Sequence, residues 1–188
     1  ENVTFKYPKV GMDNAKVSIH VYDTKSQNKV TVDRTSEPNG YSPRIKWTQD
    51  PNKLCVFWMN RHQNHLELLL ANPVNGKTSL LLQEDNKYYI DIHDNLTFLS
   101  EDECFLWTSE MSGYNHIYLY GLDGKLKKQL TSGNWEVTSF YGVDEKNKTV
   151  YFQSASTSPM EREIFSIGMD GKNQKLLTDK KGFNSAQF

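Results

Sequence analysis

The chain has 188 residues, with 22 Lys and Arg against 23 Asp and Glu, a net charge of −1 and 37% hydrophobic residues. Balanced charge leaves no cation cluster of the kind that phosphate backbones or anionic lipids need, so nucleic acid and membrane surfaces are excluded as partners. An apolar share below the usual ~45–50% points to thin layers rather than one thick core, with the aromatic residues carrying much of the burial.

No stretch approaches the ~20 apolar residues of a membrane span; Leu66-Glu67-Leu68-Leu69-Leu70-Ala71 is typical of the short runs present. The first residues, Glu1-Asn2-Val3-Thr4, lack a basic region followed by an apolar one, so no secretory leader is expected in this segment.

Four segments have the pattern of two strands around a turn: Val17 to Val32, Leu66 to Leu82, His116 to Leu130 and Glu163 to Leu177. Their turn lysines, Lys29, Lys77, Lys125 and Lys172, recur every 48, 48 and 47 residues. Asn75-Gly76, Asp123-Gly124 and Asp170-Gly171 are strong hairpin signals, because Asn or Asp followed by Gly tolerates the positive φ of a tight turn. The first copy has Gln27-Asn28 there and is the weakest turn of the four.

Between these hairpins a second pair of strands recurs, at Ile45 to Asn60, Leu96 to Glu110 and Val137 to Ala155. Each has a polar turn, at Asp50, Asp102 or Asp144, followed by a dense aromatic strand, and Cys55-Val56-Phe57-Trp58 matches Cys104-Phe105-Leu106-Trp107 in frame. Two plus two strands every ~48 residues predict an all-β chain of β-propeller blades. The predicted organisation is a single propeller segment. It comprises 1–40 (an outer hairpin), blades at 41–87, 88–134 and 135–182, and the start of another blade at 183–188. Three full blades plus two partial ones are read either as a piece of a larger propeller, the favoured reading, or as a small ring whose ends join.

The strings Tyr7-Pro8-Lys9-Val10-Gly11, Trp58-Met59-Asn60-Arg61-His62-Gln63-Asn64, Thr108 to Tyr118 (TSEMSGYNHIY) and Leu130-Thr131-Ser132-Gly133-Asn134-Trp135-Glu136-Val137 occur in this order and cover most of the chain. In them the chain resembles the β-propeller (N-terminal) domain of the dipeptidyl peptidase IV family, in the prolyl oligopeptidase group of serine peptidases. The resemblance implies an eight-bladed propeller that caps an α/β-hydrolase domain and admits peptides to an enclosed chamber. It places this chain in the later half of that propeller, just after the extended arm that helps dimerisation. It also implies a peptide substrate, a hydrolase domain of the same chain as partner, a homodimeric full-length protein, no cofactor, and a periplasmic or extracellular setting. The paired glutamates that bind the substrate's amino terminus, and the catalytic domain, would lie outside these residues, so the segment alone is expected to be inactive.

Gly40-Tyr41-Ser42-Pro43-Arg44 lacks the second glycine of a nucleophile elbow and no helix follows, so no catalytic residue is expected here. His62 and His65, three apart, have no further converging ligand, and no metal site is expected. Cys55 and Cys104 are expected to be buried thiols, since equivalent strands of stacked sheets lie ~10 Å apart and a disulfide needs Cα atoms within ~7 Å. Sequons at Asn2, Asn95 and Asn147 are no more frequent than chance predicts. Trp47, Phe57, Trp58, Phe98, Phe105, Trp107, Tyr118, Tyr120, Trp135, Phe140, Tyr151 and Phe152 recur in the strand frame and are expected to fill the core.

The remaining candidate is the connection Glu84 to Asn95, long and charged, whose counterpart in the family approaches the substrate chamber. Tyr88, Tyr89 and Asp91 are its candidate channel-lining residues; a solvated loop between blades is the plainer alternative. The function expected is the non-catalytic propeller portion of an exopeptidase that removes amino-terminal X-Pro or X-Ala dipeptides, gating and positioning the peptide. The alternative is a protein-interaction propeller without hydrolase activity.

Overall fold

Residues 9–33, 40–100 and 103–188 are described by the computed structural model; Tyr7 and Pro8 of the first string, the sequon at Asn2 and the turn residue Asp102 lie outside them. Every regular element among the described residues is a β-strand. The chain forms two compact units, Glu1–Asp91 and Ile92–Phe188.

In the first unit, β1 (His20–Tyr22) and β2 (Lys29–Thr31) make an antiparallel hairpin. The strands β3 (Ile45–Trp47), β4 (Leu54–Met59), β5 (His65–Ala71) and β6 (Thr78–Asp85) follow as a four-stranded antiparallel sheet in chain order. The second unit holds two more such sheets. One is β7 (Thr97–Phe98), β8 (Cys104–Ser109), β9 (His116–Gly121) and β10 (Leu126–Gln129). The other is β11 (Val137–Asp144), β12 (Thr149–Ser154), β13 (Glu163–Gly168) and β14 (Lys175–Leu176).

Burial explains why the apolar residues run continuously along some strands. All six residues of β4 and all six of β8 are buried, so both faces of these second strands are covered. In the first unit Val32, Ile19 and Val21 of the hairpin pack on Leu54, Val56 and Ala71. In the second, Cys104, Leu106, Ile117 and Leu130 of one sheet meet Val150, Phe152, Phe165 and Ile167 of the next. Trp135 stacks on Phe152, and Phe152 on Phe165.

Most of the predicted aromatic core lies inside, but Trp47 does not: it is 50% exposed. It lines a groove of about 670 Å³ with Tyr22, Pro51 and Val74. Among the described residues the preceding hairpin contributes two strands, which pack on β4 and β5, and all three residues of β3 are exposed.

The outer turns show the glycines' role. Gly76, Gly124 and Gly171 have φ of 76°, 77° and 72°, and the matching residue of the first hairpin, Gln27, sits at 59°. Gly76 also meets the preceding hairpin: its carbonyl accepts from Asp33 N (2.8 Å), Thr78 Oγ1 donates to Asp33 O (3.1 Å), and a Cβ on Gly76 would collide with the Thr31 carbonyl oxygen.

Gly76→Ala is therefore expected to destabilise the first unit by about 2 kcal/mol or more, since the left-handed conformation alone costs an L-residue ~1–2 kcal/mol. Gln27→Gly is expected to stabilise it by about 1 kcal/mol, by relieving the same conformation. Urea midpoints of the purified chain, followed by tryptophan fluorescence, measure both.

Candidate functional site

The candidate residues depend on how the connection leaving β6 is held. Strand β6 extends to Asp85, so Glu84 and Asp85 belong to the sheet rather than to the loop. Beyond them the chain docks on the turn between β4 and β5: Asn86 N donates to Asn64 O (2.9 Å) and Ile90 N to Gln63 O (2.8 Å). That turn is itself tied by Asn60, whose Oδ1 accepts from Asn64 N and His65 N and whose Nδ2 donates to Asn64 Oδ1. Gln63 takes a φ of 57° there. Ile90 is buried at 5% exposure, whereas Tyr88 is 78% and Tyr89 48% exposed, and Asp91 is exposed too. The structure thus places the three candidate residues around one buried anchor, with their side chains outward. Lys87 Nζ lies 5.1 Å from the centre of the Tyr88 ring.

At the base of this segment stands a residue that spacing had flagged only as half of a histidine pair. His65 heads β5 directly across from Asp85. Its Nδ1 is 2.6 Å from Asp85 Oδ1 and its Nε2 3.3 Å from Glu67 Oε1, while Gln83 Nε2 donates to Asp85 Oδ2 (2.7 Å). Two carboxylates accept from both ring nitrogens only if both carry protons, so the imidazolium fits this site. Burial lowers the His65 pKa, but the hydrogen bonds and charges of Asp85 and Glu67 outweigh it and raise the pKa above the ordinary value. The edge of Trp58 meets the imidazole at 5.8 Å. His62 lies exposed in the turn. Among the described residues no group of three His, Cys, Asp or Glu is arranged to hold a metal ion.

The position of His65 recurs, with a threonine in place of Asp85. His20 heads β1 across from Thr31, with Nδ1 3.1 Å from its Oγ1. His116 heads β9, with Nδ1 3.1 Å from Thr131 Oγ1 and Nε2 3.0 Å from Gly133 O. The carbonyl can only accept, so Nε2 of His116 carries the proton and Nδ1 accepts from the threonine hydroxyl. Burial lowers the pKa of His116, which is 1% exposed, and the bond to Gly133 O opposes it. A histidine opening β1, β5 and β9, with Glu163 at the same place in β13, was the available signal, legible once the hairpins are aligned on their strand starts.

In the second unit, His93 and Asn95 show what happens to the rest of the connection. His93 Nε2 donates to Thr108 O (2.9 Å) and Asn95 Nδ2 to Thr108 Oγ1 (3.0 Å), and the His93 ring packs on Trp107 at 4.2 Å. Strand β7 pairs with β8 only at Thr97 and Phe98, whereas β11 pairs with β12 from Val137 to Asp144. Side chains here replace ladder bonds, and the segment before Thr97 has left the sheet. Ser42 lies just before β3, its Oγ without a hydrogen-bond partner among the described residues. Cys55 and Cys104 are buried free thiols, and burial pushes Cys55 up to about 12.

Of the strings behind the resemblance, one ties two sheets of the second unit together. Asn115, in the third string, makes the tie: its carbonyl accepts from Val137 N (2.8 Å) and its Nδ2 donates to Val137 O (2.7 Å). Residues 1–188 match the model of the family described as the dipeptidyl peptidase IV (DPP IV) N-terminal region. The chain belongs to this family. It is 38% identical to Porphyromonas gingivalis dipeptidyl peptidase 4, whose crystal structure superposes with a TM-score of 0.92 over 100% of this chain and 27% of that one. The dipeptidyl peptidases 4 of Arthroderma otae and Trichophyton rubrum are each 27% identical, over 97% and 94% of this chain. The chain spans about a quarter of the length of these curated relatives, 25% and 24%. The fold of this dipeptidyl peptidase IV N-terminal region is a partial β-propeller: four-stranded antiparallel blades, with no helix among the described residues.

The two histidines are expected to titrate on opposite sides of 6.5, His65 above and His116 below. His65, raised in the fold, contributes stability that is present below its unfolded pKa and lost as pH rises through the folded value. His116, depressed, contributes stability that is present above its unfolded pKa and lost as pH falls through the folded value. NMR titration of the imidazole Cε1 protons checks the order. His65→Gln should destabilise the chain at pH 6 and have little effect at pH 9; the reverse dependence would exclude this assignment.

Proposed function

We propose that this chain is the non-catalytic propeller portion of a serine exopeptidase that removes amino-terminal X-Pro or X-Ala dipeptides, and that it gates and positions the peptide. The Ser, His and Asp of catalysis belong to an α/β-hydrolase domain of the same protein, which acts as a homodimer in a periplasmic or extracellular setting. Family membership supports the reaction class. The observation that carries the positioning role is the segment Asn86–Asp91: a buried Ile90 and two backbone bonds fix it, yet Tyr88, Tyr89 and Asp91 face outward. A loop serving only to connect blades has no need to hold two tyrosines and a carboxylate outward on a fixed base. Fixed side chains contribute through orientation, because a substrate held in one geometry loses its freedom before the chemical step. Tyr89 offers an apolar face to a peptide side chain, and Asp91 a charge to the peptide's donors or its amino terminus.

In the full-length protein, Tyr89→Ala and Asp91→Asn are expected to raise KM for X-Pro peptides by about tenfold, the scale of one lost contact in a specificity pocket, with a smaller change in kcat. Steady-state kinetics with a panel of dipeptide reporters measures this. Unchanged kinetics for both variants would remove the segment from the substrate path and leave it a connection between blades.

A further inference from the structure

In the second unit an amine stands against a thiol. Lys127 Nζ lies 2.9 Å from Sγ of Cys104, whose residue is 3% exposed. The two residues are on strands that are not neighbours, since β9 runs between β8 and β10. Two local features bring them together. Cys104 is directly across from Gly121, and the lysine stem crosses over that glycine: a Cβ there would stand 3.2 Å from Lys127 Cε. The register of β9 with β10 shifts between Leu126 and Lys128, so Lys127 is the extra residue of a bulge, a device that re-aims a side chain.

The matching cysteine of the first unit is set differently, with Lys46 across from it on β3. Cys55 is fully buried and lies across from Leu70 on β5, not from a glycine. Two residues beyond the lysine that closes the outer turn, where the second unit has Lys127, the first has Ser79.

We propose that Cys104 and Lys127 form an oxidant-driven covalent cross-link. Hydrogen peroxide transfers one oxygen to Sγ, oxidising the thiol by two electrons to a sulfenic acid and leaving as water. The Lys127 amine, its ammonium proton lost to solvent, then attacks Sγ, as backbone nitrogens do in forming sulfenamides. The S–N bond forms, the S–O bond breaks, and the hydroxyl departs as water with one proton from the nitrogen. Thiol, amine and one peroxide thus give a sulfenamide and two waters. The link ties β8 to β10 across β9 and clamps the outer hairpin of that sheet. Cys104 is the first residue of β8, and the attacking nitrogen is already in contact with the sulfur.

The test is peroxide treatment of the purified full chain, followed by denaturation, alkylation of the remaining thiols and peptide mapping. A linked pair joining the Cys104 and Lys127 peptides, lighter by about 2 Da than the sum of the reduced peptides and released by dithiothreitol, is expected, with Cys55 still open to alkylation. Lys127→Met should give no linked pair and should leave Cys104 as a sulfenic acid that dimedone labels. Lys127→Arg, which retains the charge and the long stem, should also give no linked pair, and it serves if the methionine variant does not fold. Wild-type Cys104 that stays reduced, or that gains about 32 Da as a sulfinic acid without linking, overturns the proposal. So does equal oxidation of Cys55 and Cys104.

Discussion

A four-stranded sheet is too thin to keep its own apolar residues dry, and this constraint organises the molecule. Strands β4 and β8 are buried at every position, which happens only where both faces of a sheet are covered. Each sheet therefore needs a neighbour, and the chain supplies one by repeating the same unit. Phe152, packed between Trp135 and Phe165 in a stack that the neighbouring sheet completes with Leu106 and Ile117, is the contact at which that need is met.

Within the second unit a polar tie adds to the stacking of the two sheets. The Asn115 carbonyl, in the turn between β8 and β9, accepts from Val137 at the start of β11, and the Gln63 and Arg162 carbonyls of the corresponding turns accept from Ile90 and Asn184. Two of the four strings that mark the family, Trp58 to Asn64 and Thr108 to Tyr118, contain these turns, so part of their residue choice follows from geometry before any contact with substrate. Asn60 serves because one amide can bind two backbone donors and a side chain at once. The same ties hold Tyr88, Tyr89 and Asp91 in place, which links the architecture to the proposed handling of a peptide.

Equivalent positions in the repeat have diverged in their chemistry. His65 meets two carboxylates and favours the charged ring, whereas His116 meets a hydroxyl and a carbonyl and is held neutral. Cys55 and Cys104 stand at matching positions of β4 and β8, but Cys104 faces Gly121 with the Lys127 amine at its sulfur, whereas Cys55 faces Leu70. A repeat supplies the same backbone frame several times, and single substitutions on a neighbouring strand then decide what each copy can do.

Strand number, strand order and turn positions were legible in the amino-acid sequence, because they rest on local signals. Alternating apolar residues need partners only across a hairpin, and Asn-Gly or Asp-Gly pairs mark where the backbone must take a positive φ. Tyr88, Tyr89 and Asp91 could be named from a polar stretch between two strands, though not the buried Ile90 that fixes them. Other features needed the tertiary structure. Trp47 looked like core and lies exposed, because its cover depends on how many strands stand in front of it. The His65–Asp85 pair spans 20 residues and the Cys104–Lys127 pair 23, so both depend on register. A shift of one residue in either strand would turn these side chains to opposite faces. Local patterning determined which strands exist; the pairing of strands decided which side chains meet.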